Sequence, residues 1–141
     1  MDTSFARPWL RLEGFAALAA ATLLYRHFGL PWFWFVILFL VPDLAMIGYL
    51  AGARLGALSY NLAHGYAVAA VVLASGLISD LAGKPRVALL GVGLIWCAHI
   101  GFDRALGYGL KSPAGFRFTH LGMIGRNRKT TPVPDPTEGR A

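Results

Sequence analysis

The stretch Trp96-Cys97-Ala98-His99-Ile100-Gly101-Phe102-Asp103-Arg104 closes a segment that is apolar from Val87 onward. That segment, Val87 to Tyr108, is long enough to cross a bilayer, which needs about 20 residues of helix. Histidine, aspartate and arginine are expensive in hydrocarbon and ask for a reason when they occur there. His99 and Asp103 are four residues apart, so one helix presents them on one face. Gly93, Cys97 and Gly101 form a small-residue stripe suited to close helix contact. The stretch therefore predicts a membrane span that carries a polar site near its end.

The rest of the chain agrees with a membrane setting. It has 141 residues, of which 56% are hydrophobic and 14% charged, and its mean hydropathy is +0.54. The apolar residues come in long blocks, as membrane spans do. Span one is expected from Trp9 to Tyr25, marginal in length and carrying Arg11 and Glu13 early. Its Gly14, Ala17 and Ala21 make a second small-residue stripe. Span two runs from Pro31 to Leu50, with Trp32 and Trp34 at its start and Tyr49 at its end, as interfacial aromatics would sit. The Trp and Phe run at 32–39 is expected to face lipid. Pro42-Asp43 falls past its middle and predicts a kink that turns Asp43 toward the centre. Span three runs from Leu55 to Ile78, with Tyr60, Asn61 and His64 in its first half. The fold class predicted is all-α: an integral membrane bundle of four transmembrane helices over residues 1–125. A loop-like stretch follows Gly109, and residues 126–141 read as a basic, Pro/Thr-rich disordered tail.

The net charge of +6 does not imply nucleic acid, because the basic residues cluster at segment ends. There they read as topology signals and contacts to anionic lipid headgroups. Four spans leave ten Lys and Arg on the side of the termini, among them Arg54, Arg104, Lys111, Arg117 and Arg126, and only Arg26, Lys84 and Arg86 on the other. The positive-inside rule then puts both termini in the cytoplasm. No small-residue cleavage site follows the first apolar core, so that core is expected to be retained as a span. The single cysteine, Cys97, excludes an internal disulfide and reads as packing. Self-association as a homo-oligomer is left open.

The depth of the polar residues is informative. At 1.5 Å per residue, Glu13 lies roughly 6 Å from the cytoplasmic end, Asp103 roughly 7 Å, Asp43 roughly 10 Å, and His64 and His99 roughly 13 Å. All five share one half of the bilayer although alternate spans run in opposite directions. Three uses compete. Asp43, His64, His99 and Asp103 could ligate a divalent zinc, manganese or iron ion, with Glu13 or His120 as a further ligand or general base, and activate water in a hydrolase. The same groups could carry protons or ions, or sit beside a lipid headgroup held by Arg104, Lys111 and Arg117. They could also form a structural network that pins the helices together. Tyr60 and Asn61 are expected to hydrogen-bond between helices. No His-Glu-x-x-His, Gly-x-Ser-x-Gly, phosphate-loop or Cys-x-x-Cys motif occurs.

Five motifs together resemble a known family: Leu10-Arg11-Leu12-Glu13-Gly14; Val41-Pro42-Asp43-Leu44; Tyr60-Asn61-Leu62-Ala63-His64; His99-Ile100-Gly101-Phe102-Asp103-Arg104 followed by Gly107-Tyr108-Gly109-Leu110-Lys111; and Thr119-His120-Leu121-Gly122. The chain is similar over roughly residues 9–125 to small bacterial membrane proteins catalogued as domain of unknown function 4260. The resemblance implies a multi-pass protein of a bacterial inner membrane. It assigns no activity and no catalytic roles.

Overall fold

Pro42 decides the first departure from a simple bundle. Having no N–H, it cannot continue an α-helix, and the chain tightens where it stands. In the computed structural model, α1 spans Ala6–His27 and α2 spans Trp32–Phe39, and a 3-10 helix then takes over at Val41–Ala51. Asp43 N–H accordingly donates to Leu40 O, three residues back, at 3.2 Å. Helices α3 (Ala53–His64), α4 (Tyr66–Leu81) and α5 (Val87–Leu106) follow. The structure describes residues 5–113, 115–119 and 122–123, with the backbone alone for 115–118 and 122–123; the tail at 126–141 lies outside them.

The turns are set by glycines with positive φ, notably Gly52 (121°) between the 3-10 helix and α3, and Gly107 (93°) at the end of α5. Only glycine adopts such angles without strain. The segment expected as span three is interrupted: Gly65 is extended (φ −94°, ψ 137°) and separates α3 from α4.

Helix α5 is the centre of the fold. Its buried residues include Leu90, Gly91, Gly93, Leu94, Ile95, Ala98, His99, Ile100 and Gly101. On one side it packs along α1, on another along α4, while the 3-10 helix packs on α3. Two of the small residues let α5 approach different neighbours. A Cβ on Gly101 would lie 2.6 Å from Leu18 N of α1, and one on Gly93 would lie 2.6 Å from Leu73 Cα of α4. A stripe on one helix thus serves two partners, and Gly14 of α1 completes the first crossing. At the far end Tyr25, Leu30, Leu90, Leu94 and Ile95 form a core cluster on which Phe35, Leu38 and Phe39 pack. The aromatic run of α2 therefore divides: Phe35 and Phe39 turn inward, whereas Trp32, Phe33 and Trp34 stay exposed.

The 3-10 geometry is visible in the exposure pattern. With three residues per turn, side chains three apart eclipse. Val41, Leu44, Ile47 and Leu50 form one exposed row, and Pro42, Ala45 and Gly48 form a second, more buried row.

Three helical segments are long and apolar enough to cross a membrane: Trp32–Ala51, Ala53–Leu81 and Val87–Leu106. Large apolar side chains such as Leu44, Leu50, Val71 and Ile78 are exposed on them, as lipid-facing residues would be and as a water-facing surface rarely allows. The 22-residue α1 is long enough but is not among these three in apolarity. The stretch after Gly109 is more ordered than a loop. Strands β1 (Lys111–Ser112), β2 (Gly115–Thr119) and β3 (Gly122–Met123) form an antiparallel sheet in that order, with Lys111 opposite Thr119 and Phe118 opposite Met123.

Candidate metal centre

Both interruptions of the spans fall at acid or histidine residues. The 3-10 helix begins two residues before Asp43, and α3 ends on His64. Unbroken α5 supplies His99 and Asp103 from one face. One ligand atom from each of the four residues lies within 4.8 Å of every other. His64 Nε2 is 3.1 Å from His99 Nε2 and 3.3 Å from Asp43 Oδ1. It is 3.5 Å from Asp103 Oδ2, and His99 Nε2 is 3.7 Å from Asp43 Oδ1. Metal bonds of about 2.0–2.2 Å to imidazole nitrogen and carboxylate oxygen place tetrahedral ligands about 3.3 Å apart. Four of the six spacings bracket that value, and all six lie within 4.8 Å.

The hydrogen bonds fix which nitrogen of His64 is available. Its Nδ1 lies 3.0 Å from the Tyr60 carbonyl oxygen. A carbonyl only accepts, so Nδ1 carries the proton and, in the neutral ring, Nε2 offers a lone pair. That lone pair faces two carboxylate oxygens and a second imidazole nitrogen. Such a group of acceptors is held together by a shared proton or by a bound cation. Two carboxylates and two neutral imidazoles carry two negative charges, the complement of one divalent ion.

The surroundings orient the four donors as they would in a metal site. Tyr60 OH donates to Asp103 Oδ2 at 3.2 Å, and the Tyr60 ring stacks on His64 with centroids 3.8 Å apart. The ring of Phe39 meets His99 edge-on at 5.3 Å. His99 Nδ1 is buried without a well-formed hydrogen bond, although the Phe39 backbone acts on the ring. The last carbonyls of α3, which helix ends leave without partners, are met from α5. Trp96 Nε1 donates to Ala63 O at 2.6 Å and Arg104 Nη2 reaches His64 O at 3.5 Å. The imidazole side chains are 2–3% exposed, against 35% for Asp43 and 15% for Asp103. The histidines thus form the floor of the site and the carboxylates its mouth.

Asn61 clamps the strand that follows α5. Its Nδ2 donates to Lys111 O at 2.9 Å, and Lys111 N–H donates to Asn61 Oδ1 at 2.7 Å. This holds Lys111, 4% exposed, with Nζ 5.1 Å from the centre of the Tyr60 ring. Burial pushes the Lys111 ammonium below its usual pKa, and the Asp103 charge opposes that shift.

The other candidates are placed differently. Glu13 lies on α1 outside the cluster, exposed, beside a separate pocket of about 320 Å³ that Tyr66 and Arg104 also line. Arg104 is turned to the His64 carbonyl, and Lys111 is buried over Tyr60 rather than presented at the surface. Arg117 belongs to β2, where the backbone alone is described, and His120 lies outside the described residues altogether. Phe39 and Trp96, both neighbours of the site, carry no sign of that role in the sequence. The ring stacking of Tyr60 on His64 does have a signal there, their four-residue spacing.

No curated protein and no solved structure matches the chain. A family model does match, over residues 7–124. By that match the chain belongs to the family described as Domain of unknown function (DUF4260).

Proposed function

We propose that this chain is a metal-dependent membrane hydrolase whose centre is Asp43, His64, His99 and Asp103. The observation that supports it is the convergence of two imidazoles and two carboxylates, with one ligand atom from each within 4.8 Å of every other. Nitrogen and oxygen donors suit zinc, manganese or iron(II). An ion of this kind, when bound, supplies a polarised water at neutral pH. The residues of the chain do the rest. Asp43, at the exposed edge, is the ligand past which a substrate would arrive. Tyr60 holds Asp103 in place, and Lys111 adds a positive charge behind it. In hydrolysis the oxygen of water bonds to the acyl or phosphoryl centre, the ester bond breaks, and the leaving oxygen takes a proton.

In this reading α1 is the fourth span, packed along α5, and both termini lie on the cytoplasmic side of a bacterial inner membrane. Protein purified without chelator is expected to hold one zinc, manganese or iron per chain by elemental analysis. The Asp43→Ala, His99→Ala double variant is expected to hold none. Absence of stoichiometric metal from the unaltered protein, after these ions are supplied during growth, sinks the reading.

A second reading is favoured by the number of protein donors. Four protein ligands fill a tetrahedral ion's shell, which is the pattern of a structural rather than a catalytic site. The protein would then be a non-enzymatic membrane accessory or lipid-binding module. Metal that is present, stabilising and inert toward long-chain esters and phosphoesters would select that reading.

A further inference from the structure

Two cavities line the face of α5 that leads to the ligands. One, of about 230 Å³, is bounded by Pro42, Ala45, Ala63 and Trp96. The other, of about 310 Å³, is bounded by Tyr25, Pro31, Ala88 and Gly91. Leu38, Val92 and Ile95 belong to both, so the two adjoin and together make a groove between α5 and α2 with its 3-10 extension. Almost all of its lining is apolar, and it opens on the surface where α2 exposes Trp34 and α5 exposes Val92.

The groove and the metal centre share a register. Gly91, Ile95, His99 and Asp103 follow one another at four-residue steps along one ridge of α5. The groove occupies the first half of that ridge and the ligands the second. At its inner end it is bounded by Pro42 and Ala63, each the residue before a ligand. From Val87 to Trp96 it follows nine helical steps, or about 14 Å. A molecule complementary to the whole ridge is apolar and extended for that length and then polar at one end.

We infer that the groove holds one acyl chain of a membrane lipid, whose polar head lies at the Asp43 mouth of the centre, so that the substrate class is a long-chain lipid. This rests on the metal-centre reading for the head, and on the groove alone for the chain. A small soluble ester would leave the groove unused. A lipid merely covering the protein would have no preference for this face over the exposed face of α4, where Val71 and Ile78 lie.

The test uses the full chain in phosphatidylcholine nanodiscs doped with phosphatidic acid that carries a photoreactive group within one acyl chain. After illumination, labelled peptides are mapped and metal content is measured on the same sample. Label is expected to concentrate on residues 31–45 and 87–96, several-fold above Val71 and Ile78. Val92→Trp, which fills the stretch common to both cavities from a lipid-exposed position, is expected to cut that labelling at least fivefold with metal content unchanged. Ala88→Trp, at the outer end, serves as the second blocking variant should the first unfold. Labelling spread evenly around the bundle, or labelling of the groove that neither variant reduces, overturns the inference. Loss of metal from the unaltered protein, with groove labelling kept, overturns the metal reading and leaves the chain site standing.

Discussion

Helix α5 contributes two of the four candidate ligands and the two interrupted spans one each, in opposite ways. Helix α5 runs without a break for 20 residues and sets the His99–Asp103 spacing by helical periodicity alone. The segment Trp32–Ala51 changes from α to 3-10 geometry just before Asp43, and Ala53–Leu81 breaks just after His64. A helix interrupted in lipid must find new partners for its freed backbone groups. Here α5 supplies them at the end of α3, through Trp96 and Arg104 on its last carbonyls, and α3 supplies Ser59 Oγ to Ala45 O of the 3-10 segment. The continuous helix is the frame. The interrupted spans are bent to meet it, and each bend coincides with a ligand.

If that division of labour holds, the largest effect comes from removing ligands on either side of it. His99→Ala with Asp103→Ala, and separately Asp43→Ala with His64→Ala, should each take bound metal from one ion per chain to none, read by elemental analysis. A pair that retains metal is not part of the centre.

The frame should fail next. Gly101→Ala puts a methyl group against the α1 backbone and should lower stability by about 1–3 kcal/mol, the usual cost of overpacking. Thermal unfolding in detergent would show it. The matched control is Gly91→Ala on the same helix, where a new Cβ meets only side chains at 3.6 and 3.8 Å; no loss is expected.

The coupling between the two parts should give a smaller effect. Tyr60→Phe removes the hydroxyl that α3 sends to Asp103 of α5. Metal affinity should fall about tenfold, the lower end for losing a hydrogen-bond partner of a ligand, as measured by competition with a chelator. Affinity that does not change would mean that Asp103 is held by α5 alone. Of similar size, Asn61→Ala removes the two hydrogen bonds that tie Lys111 to α3. It should cost about 1 kcal/mol per bond at most and make the 111–123 segment more sensitive to protease.

The same contrast governs how much of the molecule is legible in its residues. Asp43, His64, His99 and Asp103 stand out because an ionisable group in an apolar run is costly and persists only where something compensates it. Helix α5 stands out because its run is long and uninterrupted. Pro42 announces a bend, though not that eleven residues follow in 3-10 form. The break at Gly65 is hidden, since glycine is ordinary in membrane helices and only the tertiary partners of the freed carbonyls make a break tolerable there. The sheet at 111–123 reads as a loop in the sequence. The alternation of Phe116 and Phe118 with polar neighbours is its one local sign, over a length too short to decide.

The 3-10 segment has one more consequence. In an α-helix, inserting or deleting residues rotates everything beyond by an angle that never returns to zero within a single turn. From Val41 to Ala51 the side chains stand in three straight rows. Removing three residues downstream of Asp43 would shorten the segment by about 6 Å and leave each row facing its old direction, whereas removing one would turn the remainder by about 120°. Changes of length in this part of the chain are therefore tolerable only in threes, and the reading frame of the membrane face is a triplet.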